Sequence, residues 1–306
     1  MIVVTGSAGY LGSRIVTSLL CGSITGAGPV AGIDRAEAPT VTHRADILDG
    51  VTLRRAFRNA RAVIHTAELN GGLNGGLNGG PAAPALAGEF RRINVGGTET
   101  VIAAARDAGV RRLVLTSTTA LYGGAIRSAE AAVWVTEDLP AAPETPYEDS
   151  KRDAEALVLA AAESFPDGCL ILRCGRFFPA PANETVNDRL YRGVDPRDAA
   201  AAHILAAKRP GGGGQVLNIA AASPFTPEDC GQLRRDPLPA LRRHLPFAEG
   251  AYRQLGWRLP ATIDRVYAID AARQTIGYAP QHNFREALAE HLWLDAWPRR
   301  SEAAPN

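Results

Sequence analysis

Residues 2–12, Ile2-Val3-Val4-Thr5-Gly6-Ser7-Ala8-Gly9-Tyr10-Leu11-Gly12, carry the pattern that decides the fold. The apolar run at the start predicts a strand, and the stretch from residue 11 to residue 20 predicts a helix. Between them lies GxxGxxG. Gly6 permits the tight turn, Gly9 lets backbone approach a pyrophosphate, and Gly12 allows close helix packing, while free N–H groups at the helix start face the phosphates. We therefore expect a nucleotide site that also includes Tyr10 and Leu11.

The pattern around this turn repeats along the first 175 residues, where short β-branched runs alternate with helical stretches. Such alternation is typical of βαβ units on a parallel sheet. The predicted strands are residues 2–5, 30–34, 62–66, 113–116 and 170–172, with a later one at 215–219, and the predicted helices are residues 11–20, 52–59, 96–108 and 147–163. Beyond about residue 175, frequent prolines predict a loop-rich annex without a second core.

Composition limits the remaining possibilities. At 306 residues and 46% hydrophobic content the chain can bury one substantial core. A net charge of +1 gives no field that would gather nucleic acid or an acidic membrane. The four cysteines form no CxxC pair and suit neither a disulfide framework nor a zinc site, and no apolar run approaches the roughly 18 residues of a membrane span. We expect a cytoplasmic protein without a metal, whose partner is a small molecule.

Asp34 ends the second predicted strand, about 20 residues beyond the glycines. A carboxylate there accepts hydrogen bonds from the adenosine ribose and repels a 2′-phosphate, so NAD is favoured over NADP. Arg35 follows directly and could partner such a phosphate, which keeps NADP open as the weaker alternative.

Residues 69–80 repeat Leu-Asn-Gly-Gly three times, a composition too flexible to pack as helix or strand. The repeat follows the third predicted core strand, at the sheet edge where ligands bind in such folds. A lid over the site and a tolerated surface insertion explain it equally well.

The motif Tyr147-Glu148-Asp149-Ser150-Lys151 begins a predicted helix, and its four-residue spacing puts Tyr147 and Lys151 on one face. Hydride transfer to or from an alcohol carbon needs a group that moves the alcohol proton, and a free phenol with a pKa near 10 does this poorly at neutral pH. We expect the ammonium of Lys151, with a positive nicotinamide ring, to lower that pKa. The same ammonium offers compact donors to the ribose hydroxyls of the cofactor. Lys occurs only here and at position 208, the other basic residues being Arg.

These motifs resemble the extended branch of the short-chain dehydrogenase/reductase family, often named epimerase/dehydratase. The likeness implies an α/β fold of the Rossmann type, a doubly wound parallel sheet with a small C-terminal substrate-binding annex. Residues 1–175 would form the NAD-binding part and residues 176–306 mainly the annex, in one integrated unit. The segment with Asp46 and Ile47 resembles the part that meets the adenine, Val63-Ile64-His65-Thr66-Ala67 resembles the family's VIHLAA, and Asn94 begins its next helix motif. Thr66, Ala67 and Asn94 are thereby expected at the cofactor, and His65 is interpreted as a packed structural histidine.

The segment from Thr116 to Gly123 resembles the family's SSxAVYG, which places Thr116 at the cofactor. Counting back from Gly123 puts Thr118 at the position that hydrogen-bonds the substrate oxygen, with Thr119 as the alternative. Leu172 to Pro179 resembles LRxxxxxGP, whose backbone borders the nicotinamide, so Cys174 is expected there, with Arg173 structural. Phe178 stands where that motif has glycine, and it is expected at the substrate.

The reaction is less defined than the family. Thr119 and Ala120 stand where 4,6-dehydratases of the family need an acidic pair, which argues against dehydration. Arg173 and Asp195 are only 22 residues apart, too short a bridge for the nucleotide clamp of nucleotide-sugar epimerases. The stretch resembles that of uronic-acid dehydrogenases instead. We expect a small polyhydroxy or carboxylated substrate, with Arg176, Arg189 or Arg192 as anion partners.

Three functions stay open: a dehydrogenase or ketoreductase that releases its cofactor, a sugar epimerase that retains NAD, and a non-catalytic NAD(P) sensor. Members of the family commonly pair through the two helices predicted at 96–108 and 147–163, so the resemblance also implies a homodimer.

Overall fold

The computed structural model describes residues 1–22, 28–70, 86–127 and 130–296. Seven parallel strands form the central sheet, in the order β3-β2-β1-β4-β5-β7-β8. They are β1 (Ile2–Thr5), β2 (Val30–Asp34), β3 (His43–Arg44), β4 (Ala62–His65), β5 (Arg112–Thr118), β7 (Cys169–Cys174) and β8 (Gly214–Ile219). A second, two-stranded parallel sheet pairs β6 (Val133–Val135) with β9 (Arg265–Tyr267). The predicted Rossmann-type α/β fold is confirmed.

Helices cover both faces of the central sheet. They are α1 (Tyr10–Leu20), α2 (Gly50–Ala56), α3 (Ala87–Phe90), α4 (Gly97–Asp107), α5 (Gly123–Arg127), α6 (Pro146–Ala161), α7 (Ala182–Asp188), α8 (Pro196–Lys208), α9 (Cys230–Leu233), α10 (Leu238–His244), α11 (Ala248–Leu255), α12 (Asp270–Ile276) and α13 (Phe284–Ala296). A π-helix, Arg91–Gly96, joins α3 to α4. No helix within the described ranges is long and apolar enough to cross a membrane.

Strand alternation divides the core into two layers. Ile2 and Val4 face α1, α8 and α12, while Val3 between them faces α2, α4 and α6. Both clusters are built mainly of buried aliphatic side chains, the pattern expected for a parallel sheet covered on both faces. The helices α8 and α12 and strand β8, all beyond residue 175, belong to the first of these layers.

The annex has a hydrophobic cluster of its own, and the expectation of no second core was wrong. Phe225, Leu241, Tyr252 and Phe284 are all at most 4% exposed and pack together. These apolar residues come from several short elements separated by prolines, so no local periodicity in the sequence predicted the cluster. The cluster also includes Ala132, next to β6, from the first half of the chain.

The strand order reverses between β1 and β4, which pair Thr5 with His65 at their carboxyl ends. In doubly wound sheets, ligands bind in the crevice outside this point, because the following loops diverge to opposite faces. The glycine turn follows β1 and the segment from Thr66 to Asn70 follows β4, so both meet at this crevice.

Candidate active site

The glycine turn is shaped by close backbone approaches. Gly6 has φ of +73°, in the left-handed region that favours glycine, and its carbonyl accepts a hydrogen bond from Gly9 N at 3.0 Å. A Cβ on Gly12 would lie 2.1 Å from Gly6 O, whereas one on Gly9 would lie 3.1 Å from the same oxygen. Gly12 therefore brings α1 against the turn, and Gly9 leaves the start of the helix open to a ligand.

A cavity of about 660 Å³ opens over this turn. The cofactor residues predicted from the sequence line it, namely Gly6, Gly9, Tyr10, Leu11, Gly12, Asp34, Arg35, Asp46, Ile47, Thr66, Ala67 and Thr116. Asn94, Lys151 and Cys174 are outside the cavity's lining residues. Asp34 accepts hydrogen bonds from Ala8 N at 3.0 Å and Ala36 N at 2.9 Å, one on each carboxylate oxygen. Each oxygen retains a lone pair, so Asp34 can still accept from ribose hydroxyls.

Three aromatic rings form one wall of this cavity. Tyr10 stacks on Phe177 with ring centroids 6.3 Å apart, and Phe177 contacts Phe178 at 4.7 Å. The guanidinium of Arg14 lies 3.7 Å above the ring of Tyr10, a cation–π contact that fixes the tyrosine at the helix start. Phe177 was not among the residues singled out from the sequence.

The beginning of α6 is fixed by a capping box. The side chain of Thr145 accepts from Glu148 N at 3.2 Å, and the carboxylate of Glu148 accepts from Thr145 N at 3.2 Å. Pro146 occupies the first turn, where its missing N–H costs nothing. Tyr147 therefore lies in the first turn and Lys151 one turn later on the same buried face.

Lys151 is held by two acceptors from other parts of the chain. Its Nζ donates to the carbonyl of Thr116 at 2.8 Å and to Oε2 of Glu68 at 2.6 Å. The side chain of Lys151 is 3% exposed and that of Glu68 16%. The compact ammonium fits between the end of β5 and the segment after β4, a space that a planar guanidinium would fill poorly.

Glu68 also contacts the tyrosine. Tyr147 Oη donates to Glu68 Oε1 at 3.3 Å, so one carboxylate accepts from both members of the YxxxK motif. Sequence reasoning missed this residue. The signal was present, because Glu68 stands where the VIHLAA motif has its last alanine.

The pKa of Tyr147 lies well above that of a free phenol. Burial is the largest cause, followed by the negative charge of Glu68 and the hydrogen bond to it. We expected Lys151 to lower this pKa. The pKa shifts the other way, because burial disfavours the phenolate and Glu68 both balances the ammonium and accepts from the protonated phenol.

Asn94 fixes the segment that carries Glu68. Its Oδ1 accepts from Leu69 N at 2.7 Å, and its Nδ2 donates to Leu69 O at 3.0 Å and to Ser150 Oγ at 2.9 Å. Asn94 lies in the π-helix, a distortion that often occurs at functional sites. Asn94 uses its amide to hold the backbone of Leu69, and it lies behind the residues that line the cavity. The repeat itself, from residue 71 onward, lies outside the described residues, whereas Leu69 and Asn70 line the cavity.

Thr118, the last residue of β5, and Thr119, which follows it, differ in environment. Thr119 is 5% exposed and donates to Cys174 O at 3.3 Å. Thr118 is half-buried and its Oγ1 accepts from Ala120 N at 3.1 Å, which caps the turn Thr119–Tyr122. The hydroxyl proton of Thr118 is left for another partner, while that of Thr119 is used within the fold. The thiol of Cys174 is buried, which raises its pKa.

His65 is a structural residue. Its Nδ1 lies 2.7 Å from Thr5 Oγ1 and its Nε2 lies 3.2 Å from Thr98 Oγ1. Thr98 donates its own proton to Asn94 O, so we assign the His65 proton to Nε2. Burial, reinforced by the charge of Lys151, lowers the pKa of His65 to about 3, and the ring stays neutral.

Arg173 is also structural. Its guanidinium donates to Glu155 at 2.7 Å through Nη2 and at 3.0 Å through Nε, and Glu155 Oε1 accepts from Ser117 Oγ. The guanidinium lies 4.8 Å above the ring of Tyr122. This buried network joins α6 to β5 and β7 beneath the site.

A smaller cavity of about 220 Å³ adjoins the first through the rings of Tyr10, Phe177 and Phe178. Arg176 and Arg189 line it. Arg176 pairs with Asp188 at 3.3 Å, and Arg192, which is outside this lining, pairs with the same carboxylate at 2.7 Å. Arg189 is 4% exposed and pairs with Asp195 at 3.4 Å, yet its Nε makes no hydrogen bond to any described residue.

Comparison with known proteins agrees with this fold. The profile of the NAD dependent epimerase/dehydratase family matches residues 2–193, and the chain belongs to that family. Similar proteins include the 4-hydroxy-2-methyl-3-oxo-4-farnesyl-3,4-dihydroquinoline-1-oxide ketoreductase of Stigmatella aurantiaca, 27% identical over 93% of both chains. A dTDP-glucose 4,6-dehydratase of Streptomyces antibioticus is 26% identical over 95% of this chain and 91% of its own.

Solved structures share the fold. A short-chain dehydrogenase/reductase superfamily protein of Agrobacterium tumefaciens with bound NAD superposes with a TM-score of 0.69 at 24% identity, over 96% of each chain. MoeE5 in complex with UDP-glucose and NAD gives 0.67 at 23% identity, over 95% of this chain and 97% of its own. The protein is thus an NAD-dependent enzyme of this family. The open glycine turn and the free lone pairs of Asp34 fit that cofactor.

Proposed function

We propose that the protein is a dehydrogenase or ketoreductase that moves a hydride between nicotinamide and a secondary alcohol or ketone of a small sugar-like or carboxylated substrate. The observation that carries this is that Tyr147 and Lys151, one helical turn apart on α6, both contact Glu68, a residue that lines a dinucleotide-sized cavity. A non-catalytic sensor would not need this proton-transferring pair.

In this proposal NAD, when bound, takes up or returns the hydride. The glycine turn holds its pyrophosphate and Asp34 its adenosine ribose. Tyr147 gives or takes the proton of the substrate oxygen at Oη, and Lys151 holds the segment around it through Thr116 and Glu68. Thr118, with its proton uncommitted, donates to the same substrate oxygen, and its half-buried position supports it over Thr119.

The second cavity supports a small substrate. About 220 Å³ is below the roughly 300–1,000 Å³ of pockets that hold drug-sized ligands, so this cavity suits a short polyhydroxy acid better than a nucleotide sugar. Arg189 supplies an unsatisfied buried donor and Arg176 a second guanidinium, a pair able to hold a carboxylate. Arg192 lies outside the cavity's lining and pairs with Asp188 at 2.7 Å, closer than the 3.3 Å of Arg176, so it takes a supporting part.

The test is turnover of NAD(H) with a panel of uronic acids, short hydroxy acids and the matching ketones. We expect Tyr147→Phe to lower kcat by about 10²- to 10⁴-fold, the usual worth of a general acid or base. Tyr252→Phe, which loses only a hydrogen bond to Asn187 in the annex, is the matched control. Equal kcat in the wild type and Tyr147→Phe would refute the assignment.

An epimerase that retains NAD is the second candidate, because a UDP-glucose 4-epimerase of Dictyostelium discoideum is 29% identical over 64% of this chain. The freshly purified protein distinguishes the two. Near-stoichiometric NAD or NADH released on denaturation would favour the epimerase, and an empty protein that binds NAD reversibly would favour the dehydrogenase.

We also propose a homodimer formed through α4 and α6. Ala103 on α4 and Ala156, Leu159 and Ala160 on α6 are exposed, which gives two neighbouring helices a small-residue apolar surface. Light scattering on the purified protein should give twice the chain mass of 32.3 kDa.

All four cysteines are unpaired in the structure, and the reducing cytoplasm is the location we propose.

A further inference from the structure

We propose that Glu68 is the carboxylate through which Tyr147 exchanges its proton with solvent during turnover. This rests on the proposed function, in which Tyr147 serves the substrate oxygen. Glu68 thereby becomes a catalytic residue in addition to the Tyr147–Lys151 pair, and no motif in the sequence assigns it.

Geometry is the first support. Glu68 Oε1 accepts from Tyr147 Oη at 3.3 Å, and Oε2 accepts from Lys151 Nζ at 2.6 Å. Asn94 holds the neighbouring Leu69 through two backbone hydrogen bonds, so the carboxylate is presented to α6 by a fixed segment.

Access to solvent is the second support. Tyr147 is 7% exposed and the Lys151 side chain 3%, and neither is among the described residues that line the large cavity. The Glu68 side chain is 16% exposed and does line it. A proton that leaves the phenol for the cavity therefore meets Glu68 on the way.

The proton movement balances in both directions. During oxidation the alcohol O–H bond breaks and its proton passes to Tyr147 Oη, while the original phenol proton passes to Glu68 Oε1. The resulting carboxylic acid then releases that proton to water, and the hydride leaves the substrate carbon as stated above. In carbonyl reduction the same steps run backwards and Glu68 reprotonates the tyrosine.

The electrostatics of the surrounding groups are the third support. Burial and nearby negative charge, from Glu68 and from Glu148 on α6, hold the pKa of Tyr147 high. The other titratable groups at the site are Cys174 at the end of β7 and His65 on β4, both buried, and burial raises the thiol pKa and lowers that of the imidazole. These surroundings favour the neutral phenol, and Glu68 is the adjacent base that can take its proton.

The first experiment needs neither substrate nor cofactor. Tyrosinate absorbance is followed against pH for the wild type, Glu68→Gln and Glu249→Gln, each minus its Tyr147→Phe counterpart. The substitution removes the negative charge of Glu68, which favours the neutral phenol, so we expect Tyr147 in Glu68→Gln to ionise roughly one to three pH units lower than in the wild type. Glu249, whose exposed ion pair with Arg242 lies on the annex surface, is the control. An unchanged titration would overturn the contact on which the proposal rests.

The second experiment measures kcat with the substrate found for the wild type. We expect Glu68→Gln and Glu68→Ala to lose about 10²-fold or more in kcat with the KM for NAD unchanged, and added formate to restore Glu68→Ala but not Tyr147→Phe. A normal kcat in Glu68→Gln, or a loss confined to the KM for NAD, would overturn the relay. If the wild type converts no tested substrate, the proposed function fails by itself, and the titration alone decides on Glu68.

Discussion

Alanine at two glycines of the same turn should have opposite consequences. A Cβ on Gly12 would lie 2.1 Å from Gly6 O, so α1 must move by close to an ångström before the contact becomes tolerable. Overpacking of this kind costs about 1–3 kcal/mol of stability. A Cβ on Gly9 would lie 3.1 Å from the same oxygen, which a shift of a few tenths of an ångström relieves. We expect Gly12→Ala to be destabilised and Gly9→Ala to be nearly as stable as the wild type.

Cofactor binding should follow a different order. The methyl group of Gly9→Ala would stand where backbone approaches the pyrophosphate, and the loss of one hydrogen bond to a charged group is worth about 1.5–3 kcal/mol. That corresponds to a roughly 10- to 100-fold increase in the Kd for NAD. Gly9→Ala should therefore bind NAD weakly while remaining folded.

Urea unfolding and calorimetric NAD titration measure the two quantities separately. Gly250→Ala in α11 is the control, since its Cβ would meet nothing within 4 Å, and we expect it to stabilise the protein by roughly 0.5–1 kcal/mol. Normal NAD affinity in Gly9→Ala, or full stability in Gly12→Ala, would refute the assignment of the turn.

Two further predictions concern the buried polar groups. Burial lowers the pKa of His65 to about 3 and of His203 to about 4, so below pH 6.5 the unfolded chain takes up two protons that the native protein does not. The free energy of unfolding, measured by urea titration, should therefore be constant above pH 6.5 and fall by up to about 2.7 kcal/mol per pH unit towards pH 4. His203→Gln removes one of the two protons, so it should halve this slope. An unaltered slope in His203→Gln would contradict the prediction. Glu155→Gln leaves the buried charge of Arg173 without its counterion, and we expect the free energy of unfolding to fall by about 3–5 kcal/mol in urea unfolding. The control Glu249→Gln should change it little in the same assay. A loss no greater than in the control would show that the pair is not buried in solution.

Several features were predictable because their physics is local. The five strands and four helices predicted in the first 175 residues lie within a few residues of their observed bounds. Helix α2 begins at Gly50, two residues before the prediction, because Asp49 caps it by accepting from Thr52 N. The glycine turn was predictable because Gly6 has a left-handed φ, which favours glycine, and because a Cβ on Gly12 would lie 2.1 Å from Gly6 O.

The candidate site was predictable in part. The spacing of Tyr147 and Lys151 on one helix face follows from helical geometry alone. The environment of the pair does not, because Glu68 lies 83 residues before Lys151 and reaches it only when β4 and α6 pack on the same sheet. The effect of that contact on the pKa of Tyr147 has the opposite sign to the one expected from Lys151 alone.

What the sequence by itself determined is thus the main strands and helices of the first 175 residues, the glycine turn proposed to hold a dinucleotide and the spacing of the proposed proton-transferring pair, Tyr147 and Lys151. Each depends on residues that are close together in the sequence, where the regular spacing of a helix or a strand fixes their relative positions. The tertiary structure decided the strand order, the separate core of the annex, the commitment of Thr119 to Cys174 and the carboxylate between Tyr147 and the cavity. These are contacts between distant segments, and they depend on how whole elements pack, which no single stretch of sequence encodes.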